Sequence, residues 1–173
     1  AKKASADLYR FVARTEVLIE NTLNETTLTT VALPAGTMNT TDCINGRHVA
    51  LITSILQAST FYLRFYWGPT GGEVGDFDLI HQADFLNGSD SVLTNVGLFT
   101  DFHIFNRGSA QSQGYGFATA RNDSIAGSSS RSAVGGSAQN ANLALSLLVN
   151  GVWDTASASN ICLGMGVELF RQR

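Results

Sequence analysis

Thr60-Phe61-Tyr62-Leu63-Arg64-Phe65-Tyr66-Trp67-Gly68 carries Phe, Leu, Phe and Trp at its odd positions and Tyr, Arg and Tyr at the even ones between them. Successive side chains of an extended chain point to opposite faces, so this period of two predicts a β-strand with one apolar face turned inward. The same period runs through Leu143, Leu145, Leu147 and Val149. It runs again through Ile161, Leu163, Met165, Val167 and Leu169, with Gly164, Gly166 and Glu168 on the second face. Around residues 47–57 both faces are apolar, Val49, Leu51 and Ile55 against Ala50, Ile52 and Leu56, which predicts a central strand covered on both sides.

The β-branched run at residues 26–33 predicts another strand, closed by the turn signal Pro34-Ala35-Gly36-Thr37-Met38-Asn39. Further strands are expected at residues 16–21, 91–98, 100–105 and 114–120. Helical spacing is confined to residues 4–14, where Leu8, Phe11 and Val12 stand at i, i+3, i+4, and to a turn or two within 76–86. Residues 124–142, rich in Ser, Gly and Ala, read as a loop, either an excursion that orders against a neighbouring subunit or receptor or an ordinary surface connection. Asn150-Gly151 is a hairpin signal, so residues 143–149 are expected to pair with 160–169. About eight strands joined by turns predict an all-β fold, an antiparallel β-sandwich of jelly-roll type over residues 15–173, preceded by an N-terminal arm or short helix over residues 1–14.

The 173 residues suit one domain. Eleven basic residues against fourteen acidic ones give a net charge of −3, which offers nucleic-acid phosphates no general attraction, so no nucleic-acid partner is expected. No run of about 18 apolar residues occurs, so no membrane-spanning helix is expected. The only lysines are Lys2 and Lys3, and the polar surface is therefore built from Ser, Thr, Asn, Gln and Gly. Such a surface fits one that neighbouring chains cover, and equally an extracellular all-β domain. Cys43 and Cys162 lie far apart without a C-x-x-C spacing, and neither a disulfide nor a metal site is expected of them.

The chemistry-bearing residues form no recognisable catalytic set. His48, His81 and His103 are scattered, and neither H-E-x-x-H, G-x-S-x-G nor a phosphate-binding loop occurs. No enzymatic activity and no cofactor are expected. Glu73, Asp76, Asp78, His81 and Asp84 cluster along the chain, but the glycine and terminal glutamate of a twelve-residue calcium loop are missing. An exposed acidic loop without metal is the expectation. Lys2, Lys3, Arg10 and Arg14 make one end of the chain basic, and Arg171 and Arg173 the other. These six are the candidates for contact with an acidic patch of a shell protein, or with the acidic loop Glu73, Asp76, Asp78 and Asp84 of a neighbouring copy, which would close a ring.

The phrase Thr26-Thr27-Leu28, followed by Leu33-Pro34-Ala35-Gly36-Thr37-Met38, then the long apolar strand near Ala50 and the later Trp153-Asp154-Thr155-Ala156-Ser157-Ala158-Ser159-Asn160, resembles a jelly-roll domain of tailed-bacteriophage structural proteins. The resemblance covers roughly residues 17–171. It implies a virion protein on the exterior of the capsid, a decoration or cement protein that binds the major capsid protein as a homotrimer. The same domain occurs in tail fibres and receptor-binding tips. In that case Tyr62, Tyr66 and Trp67, or else the Ser/Gly loop, would meet host surface glycans. The bulky Tyr-Leu-Arg-Phe-Tyr-Trp strand departs from the Thr/Leu-rich strand of many relatives.

Overall fold

The computed structural model describes residues 9–14, 16–38, 42–109, 111–122 and 131–172. Eleven strands occupy them: β1 (Tyr9–Ala13), β2 (Val17–Glu20), β3 (Thr26–Leu33), β4 (Cys43–Ile55), β5 (Thr60–Pro69), β6 (Asp78–Leu86), β7 (Leu93–Ser109), β8 (Ser112–Asn122), β9 (Arg131–Ser137), β10 (Leu145–Trp153) and β11 (Ile161–Gln172). A single 3-10 turn, Val74–Asp76, is the one helical element among the described residues. Every pairing is antiparallel, in two sheets. The larger runs β1-β11-β4-β7-β8-β9 with β2 also on β11, and the smaller runs β3-β10-β5-β6.

Setting aside β1 and the β8–β9 hairpin leaves β2-β11-β4-β7 in one sheet and β3-β10-β5-β6 in the other. That is the strand order of an eight-stranded jelly roll. The hairpin is an insertion between the sixth and seventh of those strands, and it widens the larger sheet. The alternation of β5 produces this layering: Phe61, Leu63, Phe65 and Trp67 are buried between the sheets, with Tyr62, Arg64 and Tyr66 on the outer face. They meet Ala50 and Ile52 of β4, Leu98 and Phe102 of β7, and Cys162 and Leu169 of β11 in one continuous core.

Both phrases of the bacteriophage resemblance are joints of this frame. Gly36 takes φ +71° after Pro34, and Thr37 donates to the Pro34 carbonyl through its N–H (3.1 Å) and its hydroxyl (2.6 Å), which seats Met38 in the core. Asn160 is fully buried where β10 gives way to β11. Its Oδ1 accepts from the Leu56 N–H at 2.8 Å, and its Nδ2 donates to Ser59 Oγ and the Thr155 carbonyl. Such a satisfied buried amide fixes where one loop crosses another.

Several expectations are corrected. Residues 9–13 are a strand and not a helix, because Tyr9 to Ala13 pair with Arg171 to Val167 and the backbone groups are satisfied along β11; residues 4–8 lie outside the described set. The pairing ends at Ala13↔Val167, beside Gly166, whose φ of +131° and close approach to the Ala13 carbonyl oxygen leave no room for a side chain. The helix expected within 76–86 shrinks to the turn before β6, whose Ile80, Ala83 and Phe85 face the core beside β5. Residues 91–98 and 100–105 are not two strands but one unbroken β7. Of the expected loop at 124–142, residues 131–137 form β9, laddered to β8 from Gln113↔Ser137 to Thr119↔Arg131; residues 124–130 lie outside the described set.

The expected hairpin between residues 143–149 and 160–169 does not form. β10 lies in the smaller sheet and β11 in the larger, and Asn150-Gly151 sit inside β10, where a side chain at Gly151 would collide with Phe61 and Ile19. β4 is central, but only one face is fully covered. His48, Ala50 and Ile52 are buried while Val49 and Leu51 are half-buried, and the inward phase shifts before Ile55, beside the irregularity at Ile161/Cys162. Cys43 pairs with Gln172 and Cys162 with Ile52, so the two free thiols are separated by about 30 Å of β4.

Candidate functional site

The charged candidates fall on two opposite sides of the sandwich. β1 and β11 lie antiparallel, with Tyr9 opposite Arg171 and Arg10 opposite Phe170, so Arg10 and Arg171 share one margin of the larger sheet. Arg14 follows β1 and is exposed. Lys2, Lys3 and Arg173 lie outside the described residues, as do the side chains of Arg10 and Arg171. Glu73 and Asp76 flank the 3-10 turn, and Asp78 and Asp84 belong to β6, the margin of the smaller sheet. Because β1 packs near β3 and β6 packs near β8 and β9, the basic and acidic margins face away from each other.

The acidic residues are not gathered around one point. Asp76 Oδ2 accepts from the Glu73 N–H at 2.9 Å and closes its own turn. Asp78 Oδ2 accepts from Ser137 Oγ at 2.6 Å and from Gln139 Nε2 at 3.2 Å, tying β6 to the end of β9. Asp84 accepts from Gln82, and His81 turns into the core. No group of three or more metal-ligating side chains occurs among the described residues.

Tyr62 and Tyr66 stand on the outer face of the smaller sheet, within a polar network. Arg64 donates to Glu25 at 2.5 Å and to Gln82 at 2.8 Å, and its guanidinium lies 5.7 Å from the Tyr62 ring centre. Burial raises the Glu25 carboxyl, but hydrogen bonds from Asn150, Tyr66 and Arg64 outweigh it and hold the pKa below the usual carboxylate range. Trp67, expected with these tyrosines at a receptor face, is buried in the core instead, because it shares the inward phase of Phe61 and Phe65.

His48 is likewise a core residue. It is fully buried with no hydrogen-bond partner at either ring nitrogen, and burial lowers its pKa to about 3. It heads a buried row across the larger sheet, His48↔Thr100↔Thr119. Thr119 Oγ1 lies 3.0 Å from Thr100 Oγ1 and 3.0 Å from Nε2 of His81, which reaches across from the smaller sheet. Burial lowers His81 to about 4, against the opposing field of Asp84.

A concavity of about 690 Å³ lies on the outer face of the larger sheet and draws on β4, β7, β8, β9 and β11. Strand pairing orders its side chains in rows. One row is Glu168–Arg47–Asp101–Ala118, and the next is Phe170–Asn45–His103–Gly116–Val134. Arg47 forms a two-point bridge to Asp101, Nε to Oδ1 at 2.7 Å and Nη2 to Oδ2 at 3.1 Å. The bridge raises the guanidinium pKa. This groove was missed in the sequence, although its signal is there. Phe99, Asp101, His103 and Phe105 alternate on β7, and Gly114, Gly116, Ala118 and Ala120 alternate on β8.

No protein-family model matches the chain, and no curated protein sequence does. Among solved structures, lectin UEA-II complexed with galactose is similar at 11% identity and TM-score 0.46, over 98% of this chain and all of that one. Lectin I-B4 from Griffonia simplicifolia, metal-free form, is similar at 10% and 0.37, over 98% and 94%. The infectious bursal disease virus Gx strain structure is similar at 14% and 0.33, over 98% of this chain but only 42% of the viral one, so this chain spans less than half of that length.

Proposed function

We propose that the chain is a structural protein of a tailed-bacteriophage virion, a capsid decoration protein that sits on the outside of the head as a homotrimer and bridges subunits of the major capsid protein. The observation that carries the reading is the placement of charge. Arg10, Arg14 and Arg171 lie along the β1/β11 margin, with Glu16 and Glu20 at its β2 end, and the acidic residues of the turn and β6 lie on the opposite margin. Arginines on one side of a subunit and carboxylates on the other suit a head-to-tail contact, which closes into a ring when the rotation per subunit allows. Three attachment points on one rigid ring turn weak individual contacts into firm binding by raising effective concentration. The role asks for no catalysis, and the phrases that resemble bacteriophage proteins serve the frame that holds these margins apart.

The mass of the purified protein in solution tests the ring. At micromolar concentration and about 0.1 M salt the expected species is a trimer. Raising the salt to about 1 M, where the screening length falls to about 3 Å, is expected to shift it toward monomer. A monomer at low salt contradicts the reading.

A further inference from the structure

We propose that the groove on the outer face of the larger sheet binds a neutral oligosaccharide, with the His103 ring of its lining and the neighbouring Phe105 ring just outside it as the stacking platform, and the Arg47–Asp101 bridge as its hydroxyl-binding group. His103 stands opposite Gly116 and Phe105 opposite Gly114. A Cβ on Gly116 would lie 2.5 Å from His103 Cε1 and 2.6 Å from Nε2, and one on Gly114 would lie 2.5 Å from Phe105 Cζ. Both rings are therefore folded down across β8, in space that any larger residue would fill. Their centroids are 5.9 Å apart and their planes differ by 23°, so two nearly parallel rings stand together with both residues exposed. Flat, rigid rings that keep one face in solvent suit the apolar C–H face of a sugar, and two in succession suit two adjacent units.

The polar groups select the ligand class. Arg47 and Asp101 neutralise each other, yet their side chains remain 62% and 59% exposed. The guanidinium has five N–H donors and gives two to Asp101, and the carboxylate has lone pairs to spare. Donors and acceptors stand side by side, and Glu168, which flanks Arg47 in the same row, adds a further carboxylate acceptor that disfavours an anionic ligand. That complements hydroxyl groups, which both donate and accept, and not a strongly charged partner. A concavity of about 690 Å³ with an aromatic floor and a few placed polar groups has the dimensions of a small-ligand site. The site lies on the widening contributed by the β8–β9 hairpin, so the insertion that departs from the eight-stranded frame is what builds it.

The test uses the isolated protein, without heads, and so stands or falls apart from the assembly reading. Maltohexaose, cellohexaose, chitohexaose and mannohexaose are titrated into isotopically labelled protein while backbone amide resonances are followed. The expected result is that at least one sugar, at millimolar concentration, shifts Gly114, Gly116 and Ala118. Phe105→Ala is expected to weaken that binding about fivefold, the equivalent of about 1 kcal/mol. Gly116→Val, which removes no ring but lifts His103 off β8, is expected to weaken it as well, while Tyr62→Ala leaves it unchanged. The shifts in the unmodified protein decide the matter even if a variant fails to fold. Shifts confined to the Tyr62–Tyr66 face, or none with any of the four sugars, overturn the proposal.

Discussion

Phe65→Ala is expected to lower the free energy of unfolding by about 3–5 kcal/mol, read from urea denaturation at neutral pH. Phe65 is fully buried on β5, and its ring centre lies 5.6 Å from His48, 5.7 Å from His81, 5.9 Å from Phe102 and 5.2 Å from Phe117. Four strands of two sheets therefore meet around one side chain. Truncation removes the apolar surface and leaves a void that two hydrogen-bonded sheets cannot close by collapsing, so the cavity cost adds to the transfer cost. Three residues earlier on the same strand, Tyr62→Ala is expected to cost less than about 1 kcal/mol, because its ring lies on the outer face. Equal losses at the two positions would contradict the assignment of faces on which the sandwich rests.

The second large effect is acid sensitivity. An exposed imidazole titrates near 6.5, whereas burial holds folded His48 at about 3. Between those values the unfolded chain takes up a proton that the folded chain refuses. Stability is therefore complete above about pH 6.5 and is lost progressively as the pH falls toward 3. At 1.36 kcal/mol per pH unit, the His48 contribution approaches about 5 kcal/mol at the acid end. His81, lowered to about 4, adds to it in the same direction. His48→Leu replaces a ring that has no hydrogen-bond partner with an apolar side chain. The variant is expected to be more stable by about 1–3 kcal/mol at pH 7 and to show a flatter decline between pH 6 and 4. Urea midpoints at pH 7, 5 and 4 check both statements, and a wild-type midpoint that does not fall with pH would contradict them.

The elements legible in the sequence are those whose period was imposed by a single buried face. β5 and β10 read cleanly because Phe61 to Trp67 and Leu145 to Val149 each meet the other sheet. β11 kept the expected phase only at Val167 and Leu169: across the irregularity at Gly164/Gly166 the inward side changes, so Cys162 is buried while Met165, expected on the inner face, is exposed. Pairing partners were not legible, since alternation says which face is inward and not which strand lies alongside. Asn150-Gly151 therefore looked like a turn, although Gly151 is small because Phe61 and Ile19 fill its place. β9 was hidden for a related reason: Gly135 and Gly136 make its sequence resemble a loop, yet Gly135 leaves room for the Tyr115 ring. The groove escaped notice because it depends on register. His103 and Gly116 lie 13 positions apart, and only the β7–β8 pairing brings ring and glycine face to face. That Arg10 and Arg171 share one margin while Asp78 and Asp84 lie on the other could not be read without the strand order.

The most direct test of the account is a reconstruction of the virion in which this chain is located. The proposed role requires three copies around a common axis on the outer surface of the head, with the β1 margin of each meeting the β6 margin of the next over the major capsid protein. Density for the chain on the tail alone, or single copies whose margins touch nothing, would contradict it.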